Sequence, residues 1–79
     1  MHYVYILRSE SNPDQTYIGC TSNLKQRFSS HNSGDSPHTS KFAPWQLQNY
    51  FAFCDKYRAF NFEKYLKSHS GQAFTKKHF

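Results

Sequence analysis

Residues 3–7 read YVYIL and residues 16–20 read TYIGC, and these two stretches decide the fold. Both are rich in β-branched and aromatic residues, which favour β-strands. The segment between them, residues 9–15 (SESNPDQ), has an Asn-Pro-Asp core that is typical of a turn. The sequence therefore predicts an antiparallel hairpin. Gly19, near the end of the second strand, indicates a bend or a close backbone approach.

A short helix is predicted directly after the hairpin. Leu24 and Phe28 lie four residues apart, which is the spacing of an apolar helical stripe. Arg27 and His31 have the same spacing, so we expect them on the helix face beside that stripe. Gly34 is the expected C-cap of this helix.

The second half of the chain predicts one more strand and two helices. Residues 38–44 are expected to form an ordered loop, and the loose alternation of residues 47–53 predicts a central or third strand. Asp55 can cap a helix that runs to about residue 69, and residues 72–79 predict a short basic helix. The inward side of the longer helix is expected to carry Ala59, Phe62 and either Leu66 or Tyr65.

The order of these elements, β-β-α-β-α-α, describes an α+β fold: a three-stranded antiparallel β-sheet flanked by helices. A chain of 79 residues has room for one core of ordinary size, so residues 1–79 are predicted to form a single domain. Aromatic residues make up 19% of the chain and are expected to build that core.

The net charge of +5 is distributed unevenly. Residues 1–35 hold three basic and three acidic side chains, whereas residues 36–79 hold seven basic and two acidic ones. A one-sided basic surface favours a polyanionic partner, with nucleic acid first and a membrane surface second. The alternative is a solvated surface that only keeps a small protein soluble.

Cysteine usage and hydropathy indicate the compartment. Cys20 and Cys54 have neither CxxC spacing nor the density of a disulfide framework. We expect both to be buried free thiols in a reducing cytoplasm; zinc binding is disfavoured because no ligand pair has finger spacing. The sequence shows no apolar stretch long enough for a transmembrane helix and no signal peptide, so no membrane association is expected.

Several polar side chains are candidates for chemistry. Tyr5 and Tyr17 can bring their hydroxyls together on one face of the hairpin, although ordinary sheet aromatics are the alternative. Glu63 is one of two acids among seven basic residues, and a lone carboxylate there can hold a divalent cation opposite a phosphate. The alternative for Glu63 is an i,i+4 pair with Lys67 on an exposed helix face.

Other candidates also have ordinary alternatives. Arg27 could lie on a solvated helix face, and His31 could interact with the helix dipole at the C-terminus. Five lysines are candidates for phosphate contacts or for surface solubility, namely Lys41, Lys64, Lys67, Lys76 and Lys77.

Taken together, these motifs resemble the GIY-YIG endonuclease domain. The likeness rests on Val4-Tyr5, on Tyr17-Ile18-Gly19, on Arg27 and on a helical Glu63, and extends from about residue 3 to residue 74. The chain is most similar to the small stand-alone bacterial members of that family. The resemblance implies a divalent-metal-dependent endonuclease that hydrolyses DNA phosphodiester bonds, with one Mg²⁺ or Mn²⁺ ion and a link to DNA repair or recombination.

The resemblance also implies roles for individual residues. Tyr5, Tyr17, Arg27, His31 and Glu63 would be catalytic, with Glu63 as the metal ligand. Gly19 would let the chain turn beneath the site.

Two residues, Tyr5 and His31, are candidates for the general base. Tyr5 could accept the proton of water if Arg27 and the metal lowered its pKa, which is normally about 10. His31 could instead be the base, or could hold the tyrosine hydroxyl, since its pKa is already near neutral. Tyr17 would then orient water or a phosphate oxygen.

Two other functions are compatible with the sequence. The chain could be a nucleic-acid-binding module of the same fold with little or no cleavage activity, or a small protein-interaction adaptor. A nuclease of this size is expected to be weak and structure-selective, or to depend on homodimerisation or a protein partner for specificity.

Overall fold

The computed structural model describes residues 1–35, 37–68 and 70–71. Its elements follow one another as β1 (His2–Ser9), β2 (Thr16–Thr21), α1 (Leu24–Ser33), α2 (Pro37–Ser40), β3 (Trp45–Phe53) and α3 (Lys56–Lys67). The predicted α+β class, a three-stranded antiparallel sheet with helices, is confirmed. The basic helix predicted for residues 72–79 lies outside the described residues, and the single-domain extent of residues 1–79 stays a prediction.

The sheet has the order β2-β1-β3, so β1 is the central strand. The 47–53 stretch therefore belongs to an edge strand that begins at Trp45, so it forms the third strand of the sheet and not the central one. Tyr5 in β1 lies opposite Gly19 in β2 and opposite Tyr50 in β3. This register places Tyr5 at the centre of the sheet.

Helices cover both faces of the sheet. Because side chains alternate along a strand, Val4 and Ile6 pack with α3, where they meet Ala59 and Leu66. The intervening residues of β1 point to the opposite face, which carries α1 and Trp45. Of the two candidates for the inward position on α3, Leu66 is buried and Tyr65 is exposed.

The helix ends follow the expected capping chemistry. The side chain of Asn23 accepts a hydrogen bond from the Gln26 N–H at the start of α1. Gly34 ends α1 in the left-handed conformation with φ 84°, as predicted. Asp55 caps α3, where its side chain accepts from the Tyr57 N–H at 2.8 Å. The helix ends at Lys67, two residues earlier than predicted.

Two sequence predictions are wrong. The expected loop at residues 38–44 overlaps a four-residue helix, α2, which begins at Pro37, a residue type favoured at the first helical position. Cys54 is exposed rather than buried, because it lies in the bend between β3 and α3; Cys20 is half-buried, and both thiols are free.

The helices of the described residues are short. The longest of them, α3, has 12 residues. Within residues 1–35, 37–68 and 70–71, no helix is long and apolar enough to cross a membrane.

Candidate active site

A buried chain of hydrogen-bonding groups links β1, α1 and α2. The Tyr5 hydroxyl lies 2.9 Å from Nε2 of His31, and the other ring nitrogen, Nδ1, lies 2.9 Å from Oγ1 of Thr39. Tyr5 is 1% exposed, His31 2% and Thr39 1%. Because both imidazole nitrogens have a hydroxyl partner, the ring orientation of His31 is fixed.

His31 is a neutral imidazole at pH 7. Burial of the ring, and next the positive charge of Arg27, lower the pKa of His31 from its usual 6.5. A neutral imidazole has one donor and one acceptor nitrogen. The Tyr5–His31–Thr39 chain therefore has a direction: if the Tyr5 hydroxyl donates to Nε2, then Nδ1–H donates to Thr39.

The pKa of Tyr5 is raised in the folded protein. Burial, the largest cause, raises the pKa of Tyr5 from 10.0 to about 12, and the charges of Tyr17 and Glu63 add to this increase. A hydrogen bond and the positive charge of Arg27 oppose it without overcoming it. Tyr5 is thus a phenol at neutral pH, and Arg27 alone does not lower its pKa below the usual value.

Gly19 makes room for the ring of Tyr5. A Cβ atom at Gly19 would lie 2.5 Å from Cζ of Tyr5 and 3.0 Å from Cε1 of Tyr17, and would also collide with the Tyr5 hydroxyl. Gly19 lies within β2 and has no positive φ. The expectation that this glycine turns the chain beneath the site is therefore wrong, whereas the alternative of a close approach is right, with a side chain as the approaching group.

The remaining candidates are more exposed to solvent than this buried chain. The Tyr17 ring is half-buried, with its centroid 4.8 Å from that of His31 and 6.2 Å from that of Tyr5. Arg27 is exposed on α1. Glu63 lies on α3. Burial raises the pKa of Cys20, and the charge of Glu63 adds to this increase, as it does for Tyr5. The five predicted residues thus form one electrostatically connected group.

Glu63 also makes the ion pair that was its ordinary alternative. Its Oε2 lies 3.1 Å from Nζ of Lys67, and the side chain is 21% exposed. In the described part of the chain, no three His, Cys, Asp or Glu side chains are grouped as metal ligands. A single accessible carboxylate still fits Mg²⁺ or Mn²⁺, because such ions keep several waters and take one or two carboxylates plus phosphate oxygens.

The lysine predictions divide into three groups. Lys41 and Lys64 are exposed, and Lys41 lies 5.9 Å from the ring centroid of Phe42. Lys67 pairs with Glu63 at the site. Lys76 and Lys77 lie outside the described residues.

Sequence reasoning missed the residues that support His31. The carbonyl of Thr39 accepts a hydrogen bond from Nε1 of Trp45 at 2.9 Å. Asn32, next to His31, receives the Trp45 N–H on Oδ1 and donates from Nδ2 to the Trp45 carbonyl. The polar residues between Asn32 and Trp45 were the only sequence signal of this support, and they read equally well as a loop.

The raised pKa of Tyr5 predicts a loss of stability in alkali. Between pH 10 and 12 the unfolded chain releases this proton while the folded chain retains it, so the free energy of unfolding falls as pH rises. The full effect is about 2.7 kcal/mol at 1.36 kcal/mol per pH unit. Tyr5→Phe should remove this slope in urea denaturation, together with one late step in phenolate absorbance. Tyr57→Phe, at a position 76% exposed, should remove neither; equal curves for both variants would contradict the assignment.

Comparison with known proteins agrees with this architecture. The solution NMR structure of a UPF0213 protein from Bacillus halodurans is similar to this chain, with a TM-score of 0.57 and 29% sequence identity. The similarity covers 96% of this chain and 82% of that one. No protein of curated function matches the chain significantly. The model of the GIY-YIG catalytic domain matches residues 1–77, and the chain therefore belongs to the GIY-YIG family of nuclease domains.

Proposed function

We propose that the chain is a divalent-metal-dependent endonuclease that hydrolyses DNA phosphodiester bonds. One observation carries this proposal: the other four candidate residues are grouped around Tyr5 by contact, ring proximity or charge. His31 lies within hydrogen-bond distance of the Tyr5 hydroxyl, the Tyr17 ring centroid lies 6.2 Å from that of Tyr5, and the charges of Arg27 and Glu63 act on the pKa of Tyr5. The active site in this proposal consists of Tyr5, Tyr17, Arg27, His31 and Glu63.

The proposed proton path runs from water through Tyr5 to His31. A water oxygen forms a bond to phosphorus and the ester P–O bond of the leaving nucleotide breaks. The water proton passes to the Tyr5 oxygen, while the Tyr5 proton passes to Nε2 of His31, 2.9 Å away. His31 is suited to this role because its neutral ring can accept a proton at pH 7. The base and the proton relay are thus two different residues.

Arg27 has two roles in this scheme. In the free protein its positive charge acts on Tyr5, whose side chain is almost inaccessible. A phosphate oxygen is a stronger partner for a guanidinium than a neutral phenol is. Substrate binding would therefore draw Arg27 towards the phosphate, where it stabilises developing negative charge, and would uncover the Tyr5 hydroxyl for water.

Glu63 would hold the divalent ion beside the phosphate. When bound, such an ion neutralises charge on the phosphoryl oxygens. Lys67 must give way for Glu63 to bind the ion, and its half-exposed side chain has room to turn into solvent. Released from Glu63, Lys67 is available for a phosphate contact, as are the exposed Lys41 and Lys64.

A nucleic-acid-binding module with little cleavage activity is the second candidate function. The observation that favours it is the ion pair between Glu63 and Lys67, which satisfies the carboxylate without a metal. A role in repair or recombination, and a homodimer or protein partner that supplies specificity, stay predictions from the sequence.

Metal-dependent cleavage tests the proposal directly. Supercoiled plasmid and labelled duplex, branched and single-stranded DNA would be incubated with Mg²⁺ or Mn²⁺. We expect cleavage that stops in EDTA and returns when excess Mg²⁺ is added. Tyr5→Phe should reduce the rate by about 10²–10⁴-fold, the usual contribution of acid–base catalysis, whereas the matched hydroxyl deletion Tyr57→Phe should leave it unchanged. DNA binding without cleavage by the wild type in either metal would favour the binding module.

A further inference from the structure

An open groove lies beside the candidate active site, on the same face of the sheet. It encloses about 520 Å³ between β1, β3 and the start of α1. Tyr3 and Tyr50 line it from the sheet, and Leu24, Lys25 and Phe28 line it from the helix. Its volume is within the range of about 300–1,000 Å³ that is common for small-molecule sites.

Helix α1 borders both this groove and the candidate active site. Leu24 and Phe28 form the stripe that lines the groove, and Arg27 and His31 lie on the adjacent face towards the site. In the sheet, Tyr50 is the direct cross-strand partner of Tyr5. A DNA strand with its phosphate at Arg27 would therefore bring a neighbouring nucleotide to the groove.

The aromatic residues of the groove leave a surface that the described chain does not cover. Tyr50 is 55% exposed although it lies in the middle of a strand. Its ring meets that of Tyr3 edge to face, with centroids 6.2 Å apart and an angle of 63° between the planes. This geometry leaves open ring surface for another flat π-system.

The polar rim of the groove fits an anion. Lys25 lies at the opening, and the first turn of α1 contains no acidic side chain. A flat aromatic ligand joined to a phosphate combines both requirements, and a nucleotide is such a ligand. Single-stranded nucleic acids are commonly bound by stacking of bases on aromatic side chains beside a basic surface.

We infer that this groove binds an unpaired nucleobase next to the scissile phosphate, with Tyr50 and Tyr3 as the stacking surface. The inference rests on the proposed endonuclease function and makes it more specific: the substrate is DNA with at least one base outside the duplex stack. A fully paired duplex would contact the rim of the groove but could not fill it.

Binding in EDTA tests the groove without requiring cleavage. The probe is a ten-nucleotide single strand of thymidylates with one central 2-aminopurine, whose fluorescence is quenched when it stacks. Tyr50→Ala should weaken binding by about 5- to 100-fold, the range attributed to one base stacked on an aromatic ring, and should abolish the quenching. Tyr50→Phe keeps the ring and should bind within about twofold of the wild type. Tyr57→Ala removes an exposed tyrosine from α3 and should change neither signal.

The same strand annealed to its complement separates stacking from general affinity. Tyr50→Ala should leave duplex binding unchanged, because no base is free to enter the groove. Three results for Tyr50→Ala would each overturn the inference. They are equal weakening of single-strand and duplex binding, wild-type affinity for the single strand, and a shift from dimer to monomer in sedimentation as the only effect of the substitution. If the wild type stacks the base but does not cleave DNA, only the nuclease proposal is contradicted. Cleavage that continues in Tyr50→Ala with unchanged strand preference would contradict the groove alone.

Discussion

Glu63→Gln should reduce metal-dependent DNA cleavage by about 10²–10³-fold while the protein remains folded. The amide has nearly the shape of the carboxylate but lacks the negative charge that a divalent cation requires. A metal ion contributes several kcal/mol of transition-state stabilisation, and each 1.36 kcal/mol is a tenfold change in rate. Rates would be measured at saturating DNA across a range of Mg²⁺ concentrations, with binding recorded separately in EDTA.

Lys67→Met is the control that distinguishes metal binding from ion pairing. If Glu63 only pairs with Lys67 across their 3.1 Å contact, the two substitutions should have the same effect. If Glu63 holds the metal, Lys67→Met should retain the rate at saturating DNA and should require less Mg²⁺, because the competing ammonium is gone. Equal rates for Glu63→Gln and the wild type would remove Glu63 from the proposed active site.

Gly19→Ala should lower both the rate of DNA cleavage and the free energy of unfolding. The added methyl group would lie 2.5 Å from Cζ of Tyr5, and neither this buried ring nor the paired strand has space to retreat. Overpacking of this kind typically costs about 1–3 kcal/mol. Displacement of the Tyr5 hydroxyl from His31 should lower cleavage at least tenfold in addition, because catalytic groups tolerate shifts of only about 0.5 Å.

Gly34→Ala provides the matched control for this substitution. Gly34 has a φ of 84° and open space around the position of a Cβ atom, so its cost is backbone strain alone, about 1–2 kcal/mol. The two alanine variants should therefore have similar melting temperatures but different activities. Full activity of Gly19→Ala at a temperature where it is folded would show that the Tyr5 position tolerates the added methyl group.

The sheet could be predicted from the sequence because its signals are local. Strand propensity in residues 3–7 and 16–20, and a turn between them, were enough to predict the hairpin. The two predicted caps, Gly34 and Asp55, lie directly beside the helices that they cap. Helix α2 could not be predicted in this way. Its four residues have weak propensity, and Thr39 is held by His31 and Trp45, which are distant in sequence.

The grouping of the candidate residues could be predicted from the sequence, but their electrostatic environment could not. The motif spacing indicated that Arg27 would approach Tyr5, which by itself lowers a phenol pKa. Only the three-dimensional structure shows that Tyr5 is buried, on the central strand and under α1. This desolvation raises the pKa of Tyr5 by more than the Arg27 guanidinium lowers it. Residue identity therefore predicted which side chains would be grouped together, whereas packing determined the protonation of Tyr5 and His31.

The position of Trp45 has a practical consequence. It is the single tryptophan of the chain, it is buried, and its indole N–H is bonded to the carbonyl of the residue that holds His31. The fluorescence emission of Trp45 therefore reports on the environment of the contact between Thr39 and His31. A red shift would signal water entering around α2, so loosening of the packing that supports His31 can be detected in unlabelled protein.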